Sequence, residues 1–185
     1  MKSLLSLSLF CLIINSCAAF AQETAKPNPS KIIVEEIAPR PEDVGTLDGI
    51  IKAYYETITG PAGQARQWAR DRTLYTPGMK FVSIEIRNGK PFANVMSHDE
   101  FVESSDAYMV KNGFFEREIH RVTRSFGSMT QVFNTYEVRN TADGPVIARG
   151  INSLELFYDG SRWWITAAMW EDERPGNPIP KEFLP

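Results

Sequence analysis

The sequence predicts a single α+β domain in which helices pack on one face of a curved antiparallel sheet. Three observations carry that reading. An amphipathic helical run opens the globular part, a capping box starts a second long helix, and four long strand-like runs follow in succession. The sequence has no repeat of fixed period and no low-complexity tract.

Leu47, Ile50, Ile51, Tyr54, Tyr55 and Ile58 recur at three-to-four spacing, which places them on one helical face. Thr46 is positioned to cap that helix and Gly60-Pro61 to stop it. A shorter helix is expected over residues 63–72, with Ala65, Trp68 and Ala69 inward, before a turn at Pro77-Gly78. Residues 80–87 and 91–96 flank Asn88-Gly89, the pair best suited to a type I′ hairpin turn because both positions need positive φ. Ser97 and Glu100 form a capping box for a helix that ends at Asn112-Gly113 and turns Phe101, Val102, Tyr108 and Met109 inward. Strands are expected over 114–126, 129–139, 146–158 and 162–170, joined by turns at Gly127-Ser128, Asp143-Gly144 and Asp159-Gly160. Strict alternation on the last strand groups Trp163, Ile165, Ala167 and Met169 on one face, and Trp164, Thr166, Ala168 and Trp170 on the other. Two apolar faces suit a strand covered by helices inside and by a partner subunit outside.

Lys2, an apolar run from Leu4 to Ile14, and the small-x-small pattern Ala19-Phe20-Ala21 read as a signal peptide over residues 1–21 with cleavage before Gln22. The expected location is periplasmic or secreted. The apolar run is shorter than the roughly 20 residues a membrane span needs, and Ile14-Asn15-Ser16-Cys17 matches a lipobox less well than the downstream site. Residues 22–42 carry Pro27, Pro29, Pro39 and Pro41 and read as a linker in which 31–37 could pair as an edge strand. The domain is expected over 43–173, with a proline-rich tail over 174–185.

The mature 164 residues suffice for one core that buries about two thirds of the unfolded chain's surface. Both cysteines, Cys11 and Cys17, fall in the signal, so thiol and disulfide chemistry are excluded. A formal charge of −3 gives no basic field for nucleic acid, and no membrane partner is expected after cleavage. Arg117, Arg121 and Arg124 alternate with Glu116 and Glu118, as on a solvated strand face with cross-strand ion pairs. Two histidines, His98 and His120, make no close-spaced ligand pair for a metal. Gly-x-Ser-x-Gly, Gly-x-Gly-x-x-Gly and Walker patterns are missing, so no cofactor is expected.

The order of elements, Tyr54-Tyr55 late in the first helix, Trp68 in the second, and Tyr158-Asp159-Gly160-Ser161-Arg162-Trp163-Trp164-Ile165 near the end together resemble the nuclear transport factor 2-like superfamily, SnoaL-like proteins included. Trp170 and the segment Glu173-Arg174-Pro175-Gly176-Asn177-Pro178-Ile179-Pro180 look like those of exported bacterial members without assigned activity. The resemblance spans roughly residues 43–180. It implies a cone-shaped, cystatin-like barrel: a strongly bent antiparallel sheet against three helices, a cavity open at one end, and a homodimer through the outer sheet face. Relatives include ketosteroid isomerases, scytalone dehydratases, polyketide cyclases and pure binding domains, so the fold does not choose among them.

An isomerase of this kind would need a carboxylate base with a tyrosine and a protonated aspartate in the cavity. The late strands offer Glu137, Glu155 and Glu171, but Glu137 shares strand parity with Arg139 and reads as solvated. A dehydratase or cyclase would need a histidine beside an acid. His98, in the first turn of a capped helix, is expected in solvent, whereas the face of His120 is open. Trp68, Tyr136 and Trp170 could line a cavity for a flat apolar ligand, with Asn152 or His120 as polar contacts. The expected function is therefore an exported small-molecule-binding domain without assignable catalysis. The alternatives are a cofactor-free isomerase, dehydratase or cyclase using a His-carboxylate pair, and an envelope protein-protein interaction module.

Overall fold

The structure is a computed structural model that describes residues 32–185. The expected signal peptide, both cysteines and the first part of the expected linker lie outside the described residues. A short helix α1 (Pro41–Val44) precedes α2 (Leu47–Ile58), α3 (Trp68–Arg72), the hairpin strands β1 (Tyr75–Arg87) and β2 (Lys90–Met96), and α4 (His98–Asn112). Strands β3 (Phe115–Phe126), β4 (Met129–Arg139), β5 (Ala148–Tyr158) and β6 (Trp163–Asp172) follow, then a 3₁₀ turn η1 (Lys181–Phe183).

Local chemistry explains most boundaries. The Thr46 side chain accepts from the Gly49 amide at 2.9 Å, and Ser97 with Glu100 completes the capping box of α4. Asn88 and Gly89 have φ of 52° and 75°, as a type I′ turn requires. Other boundaries move. Residues 63–67 are not helical and α3 starts at Trp68; residues 32–40 form no strand; and the last-but-one strand starts at Ala148 rather than 146. Pro77-Gly78 does not end a segment either. It lies within β1, where the pairing slips between Tyr75 and Lys80.

The sheet order is β2-β1-β6-β5-β4-β3. Strands β3 to β6 form the antiparallel meander, while β1 joins β6 in parallel, so the hairpin extends the meander at its far edge. The sheet is curled and unclosed, and helices cover its inner face. Ile50, Ile51 and Tyr54 of α2 pack there on Phe81, Val132, Leu154, Leu156, Ile165 and Ala168. A second cluster joins Ile58, Trp68, Val102 and Met109. Arg66 stitches the two helix ends together, donating to the carbonyls of Gly60 and Met109 at 2.9 and 2.6 Å.

Irregularities in two strands reset which side chains face inward. On β6 the pairing shifts between Ile165 and Ala167, so Ile165 and Ala168 are both buried and the faces expected from strict alternation change after Thr166. On β3 the pairing shifts between Glu118 and His120, leaving Ile119 as the extra residue. The outer face is partly covered by the chain's own tail. Ile179 is buried, the Phe183 ring stands 5.0 Å from Phe133, and Thr135 donates to the Phe183 carbonyl at 2.5 Å. Among the described residues, no helix is long and apolar enough to cross a membrane.

Candidate functional site

A cavity of about 360 Å³ opens between α2, α4 and the inner face of the sheet. Ile58, Phe101, Met109, Phe114, Val138 and Trp170 make its walls largely apolar. One wall differs. Glu116, Tyr136, Asn152 and Asp172 reach it from β3, β4, β5 and β6 respectively.

Strand register explains the convergence. Tyr136 lies across from Gly150, and Gly150 lies across from Asp172. The phenol crosses the bare Gly150 backbone to donate to Asp172 Oδ1 at 2.5 Å. A Cβ at position 150 would stand 2.2 Å from the Tyr136 hydroxyl, so this hydrogen bond depends on glycine there. On the next row, Asn152 donates to the Tyr55 hydroxyl at 3.1 Å and also bonds the Glu116 carboxyl.

Among the described residues, Glu116 has no arginine or lysine partner. Burial, followed by the charge of Asp172, pushes its carboxyl up to about 8, against a smaller opposing pull from the Asn152 amide. Burial also raises the Tyr54 and Tyr136 hydroxyls well above the ordinary phenol range, so both remain donors at neutral pH. The Tyr54 hydroxyl lines the cavity without a hydrogen-bond partner among the described residues. The arrangement therefore offers a carboxyl that changes charge near pH 8, an unused neutral donor, and a tyrosine–aspartate pair in an apolar enclosure. Such a set can move a proton and stabilise charge that develops on a ligand oxygen. Among the described residues, no group of three or more histidine, cysteine or acidic side chains could hold a metal ion.

Of the residues singled out in the sequence, Tyr136, Asn152 and Trp170 line this cavity. Trp68 does not. It is packed behind Phe101 at a centroid distance of 6.0 Å, with its indole donating to Asp106 at 2.6 Å. His120 lies opposite Thr135, whose side chain holds the tail on the outer face, so the β3 bulge turns the imidazole away from the cavity. Glu137 is not solvated. It is buried on the outer face between Arg117 and Arg139 at 2.7 and 2.8 Å. Nor is His98 in solvent, because its Nε2 lies 2.9 Å from the buried Asp71 carboxylate.

Sequence reasoning missed Glu116, Asp172 and Tyr54. Glu116 was grouped with neighbouring arginines, yet it shares strand parity with Phe114, and that apolar neighbour also lines the cavity. Asp172 shares strand parity with Trp170, but it lies past residue 170, where the last strand is expected to end.

No family model matches the sequence, and neither does any curated protein. Solved structures do. A protein of unknown function with a cystatin-like fold from Nostoc punctiforme PCC 73102 is similar at TM-score 0.51 and 6% identity, over 66% of this chain and 84% of that one. A protein of unknown function from Mycobacterium tuberculosis is similar at TM-score 0.53 and 14% identity, over 73% and 75% of the two chains. A nuclear transport factor 2-like protein of unknown function from Silicibacter pomeroyi DSS-3 is more distant, at TM-score 0.43 and 16% identity over 70% and 94%. These likenesses show the fold alone, and the chain has a cystatin-like fold.

Proposed function

We propose that the cavity binds a small, mostly apolar molecule bearing one carbonyl oxygen, and that Glu116 moves a proton on it without a cofactor. The observation that carries this reading is a carboxyl with no cation partner among the described residues, lifted to about 8 and sharing an apolar cavity with Tyr54, Tyr136 and Asp172. A carboxyl serving only structure would be expected to have an arginine partner, as Glu137 has. The apolar walls supply binding energy of about 25 cal/mol per Å² removed from water, and the polar wall orients the ligand. Tyr54 donates to the carbonyl oxygen, and ionised Glu116 takes a proton from the adjacent carbon.

The test is proton–deuterium exchange in D₂O, followed by NMR on a panel of cyclic and bicyclic ketones with the full chain. Exchange should be catalysed, rise with pH through about 8, and fall about 100-fold or more in Glu116→Gln. Ketones that bind wild type and variant alike without exchange would leave a binding protein and remove the catalytic role.

A further inference from the structure

Away from that cavity, a groove of about 530 Å³ runs between the segment before α1, the start of β1 and the start of α4. The slip in β1 forms part of its wall. Between Tyr75 and Lys80 the chain leaves the ladder, and Gly78, with φ of 77°, completes the bend. Two features of this groove are unexplained by folding alone.

The first is a histidine with a fixed tautomer. Asp71 is 0% exposed; its Oδ1 accepts from Thr57 at 2.8 Å and from Tyr75 at 2.9 Å, and its Oδ2 lies 2.9 Å from His98 Nε2. An ionised carboxylate only accepts, so Nε2 carries the hydrogen. The other ring nitrogen, Nδ1, faces Arg72 Nη2 at 3.5 Å, and a guanidinium only donates. Nε2 thus donates to Asp71, and Nδ1 is the ring atom that faces Arg72. The contact to Arg72 is long and weak, while Arg72 is itself anchored to Asp99 and to the Val34 carbonyl. Both His98 and Arg72 line the groove.

The second is a guanidinium without a counter-ion. Arg162 is half-buried, donates to the carbonyls of Thr73 at 2.5 Å and Trp163 at 3.1 Å, and stacks 3.6 Å over the Trp164 ring. Among the described residues, no carboxylate lies within ion-pair distance of it. Asp159 acts on it through space without direct contact, its oxygens accepting from the Ser161 amide and hydroxyl, the Arg162 amide and the Trp164 indole. A half-buried cation whose direct hydrogen-bond partners are all backbone carbonyls can take a further anion in contact. Arg72 and Lys80 add positive charge to the groove and Glu35, Glu36 and Asp99 negative charge; Lys80, Glu35 and Glu36 are exposed, and Arg72 pairs with Asp99. Pro77, Met79 and Trp164 supply apolar surface.

We propose that this groove is a second ligand site, separate from the Glu116 cavity, for a small aromatic carboxylic acid carrying a hydroxyl group. The carboxylate pairs with Arg162, the ring lies on the apolar surface, and the hydroxyl donates to His98 Nδ1. Asp71 acts as the positioning residue that keeps that lone pair available.

The full chain has two histidines, which makes the test direct. Long-range ¹⁵N–¹H spectra of histidine-labelled protein, assigned with His120→Ala, report tautomer and ligand contact together. The probes are 3- and 4-hydroxybenzoate, with benzoate and phenol as controls. His98 should appear as the neutral Nε2–H form, and a hydroxybenzoate should shift its resonances while leaving those of His120 unchanged. Arg162→Met should weaken hydroxybenzoate and benzoate by about tenfold or more each, and His98→Gln should erase the preference for hydroxybenzoate over benzoate. If His98→Gln fails to fold, the tautomer spectrum and Arg162→Met still decide the matter. Equal affinity for phenol and benzoate, a doubly protonated His98 at pH 7, or resonances unmoved by saturating probe would each overturn the proposal.

Discussion

Glu116 and Glu137 sit on adjacent strands, and burial pushes both carboxyls toward neutrality, yet they settle on opposite sides of the ordinary glutamate value. Burial and the charge of Asp172 lift Glu116 to about 8. For Glu137, burial acts in the same direction, but hydrogen bonds from Arg139 and Arg117 outweigh it and hold the carboxyl low. Face and reach make the difference. Glu116 turns into a cavity with tyrosines and an asparagine, whereas Glu137 turns outward between two guanidiniums. A buried carboxylate with a cation in reach is a structural part, and one without it keeps a proton to exchange.

The comparison predicts opposite pH slopes. A carboxyl raised from 4.5 to about 8 keeps in the folded state a proton that the unfolded chain has released. Its contribution is therefore present in full below about 4.5 and is lost as pH rises through about 8. Discounted for the partial exposure of Glu116, the loss is about 2 to 4 kcal/mol. Urea melts between pH 5 and 9 should show this fall in wild type and a flatter profile in Glu116→Gln. Superimposable profiles would mean that Glu116 is as well compensated as Glu137.

Breaking the outer pair should cost less. Glu137→Gln leaves Arg139 without its carboxylate, at about 1 to 2 kcal/mol near pH 7, since Arg117 is 67% exposed and contributes little. The sign is reversed here. A depressed carboxyl contributes stability above the unfolded value of 4.5 and loses it as pH falls through the folded value. The variant should lose the acid-side dependence and leave the slope toward pH 8 intact. A variant as stable as wild type at pH 7 would show that the ion pair contributes nothing.

The sequence made the helices, the hairpin turn and the meander legible because each has a short-range signature: periodicity, a cap, or a pair of residues suited to positive φ. It made half of the site legible. Tyr136, Asn152 and Trp170 follow from aromatic content and alternation. Glu116 and Asp172 do not, because Glu116 stands in a run of charged residues that reads as solvated and Asp172 lies past residue 170, where the last strand is expected to end; the face of His120 does turn on a bulge, since one extra residue inverts the count. The bulges at Ile119 and Thr166 are set by pairing with the neighbouring strands, which alternation within one strand does not reveal. His98 was misjudged for a related reason. Its carboxylate partner, Asp71, is brought to it by packing of α3 against α4 rather than by nearness in sequence.

The smallest expected effect tests that register argument most sharply. On β3 the residue opposite Tyr136 is Glu118 and the residue opposite Thr135 is His120, so Ile119 is the inserted position. Thr135 holds the tail on the outer face through the Phe183 carbonyl. His120 shares that face and lies on the far side of the sheet from the cavity. His120→Ala should therefore change stability by less than about 0.5 kcal/mol and leave the affinity of a cavity-bound ketone unaltered. Asn152→Ala, which removes the bonds to Tyr55 and Glu116, should weaken the same ketone about tenfold, or roughly 1.4 kcal/mol. Thermal-shift titrations of both variants with one ketone make the comparison. Without the bulge, His120 would point inward opposite Asn134 and its removal would matter as much as that of Asn152, so a matched loss of affinity in the two variants would place the inserted residue elsewhere.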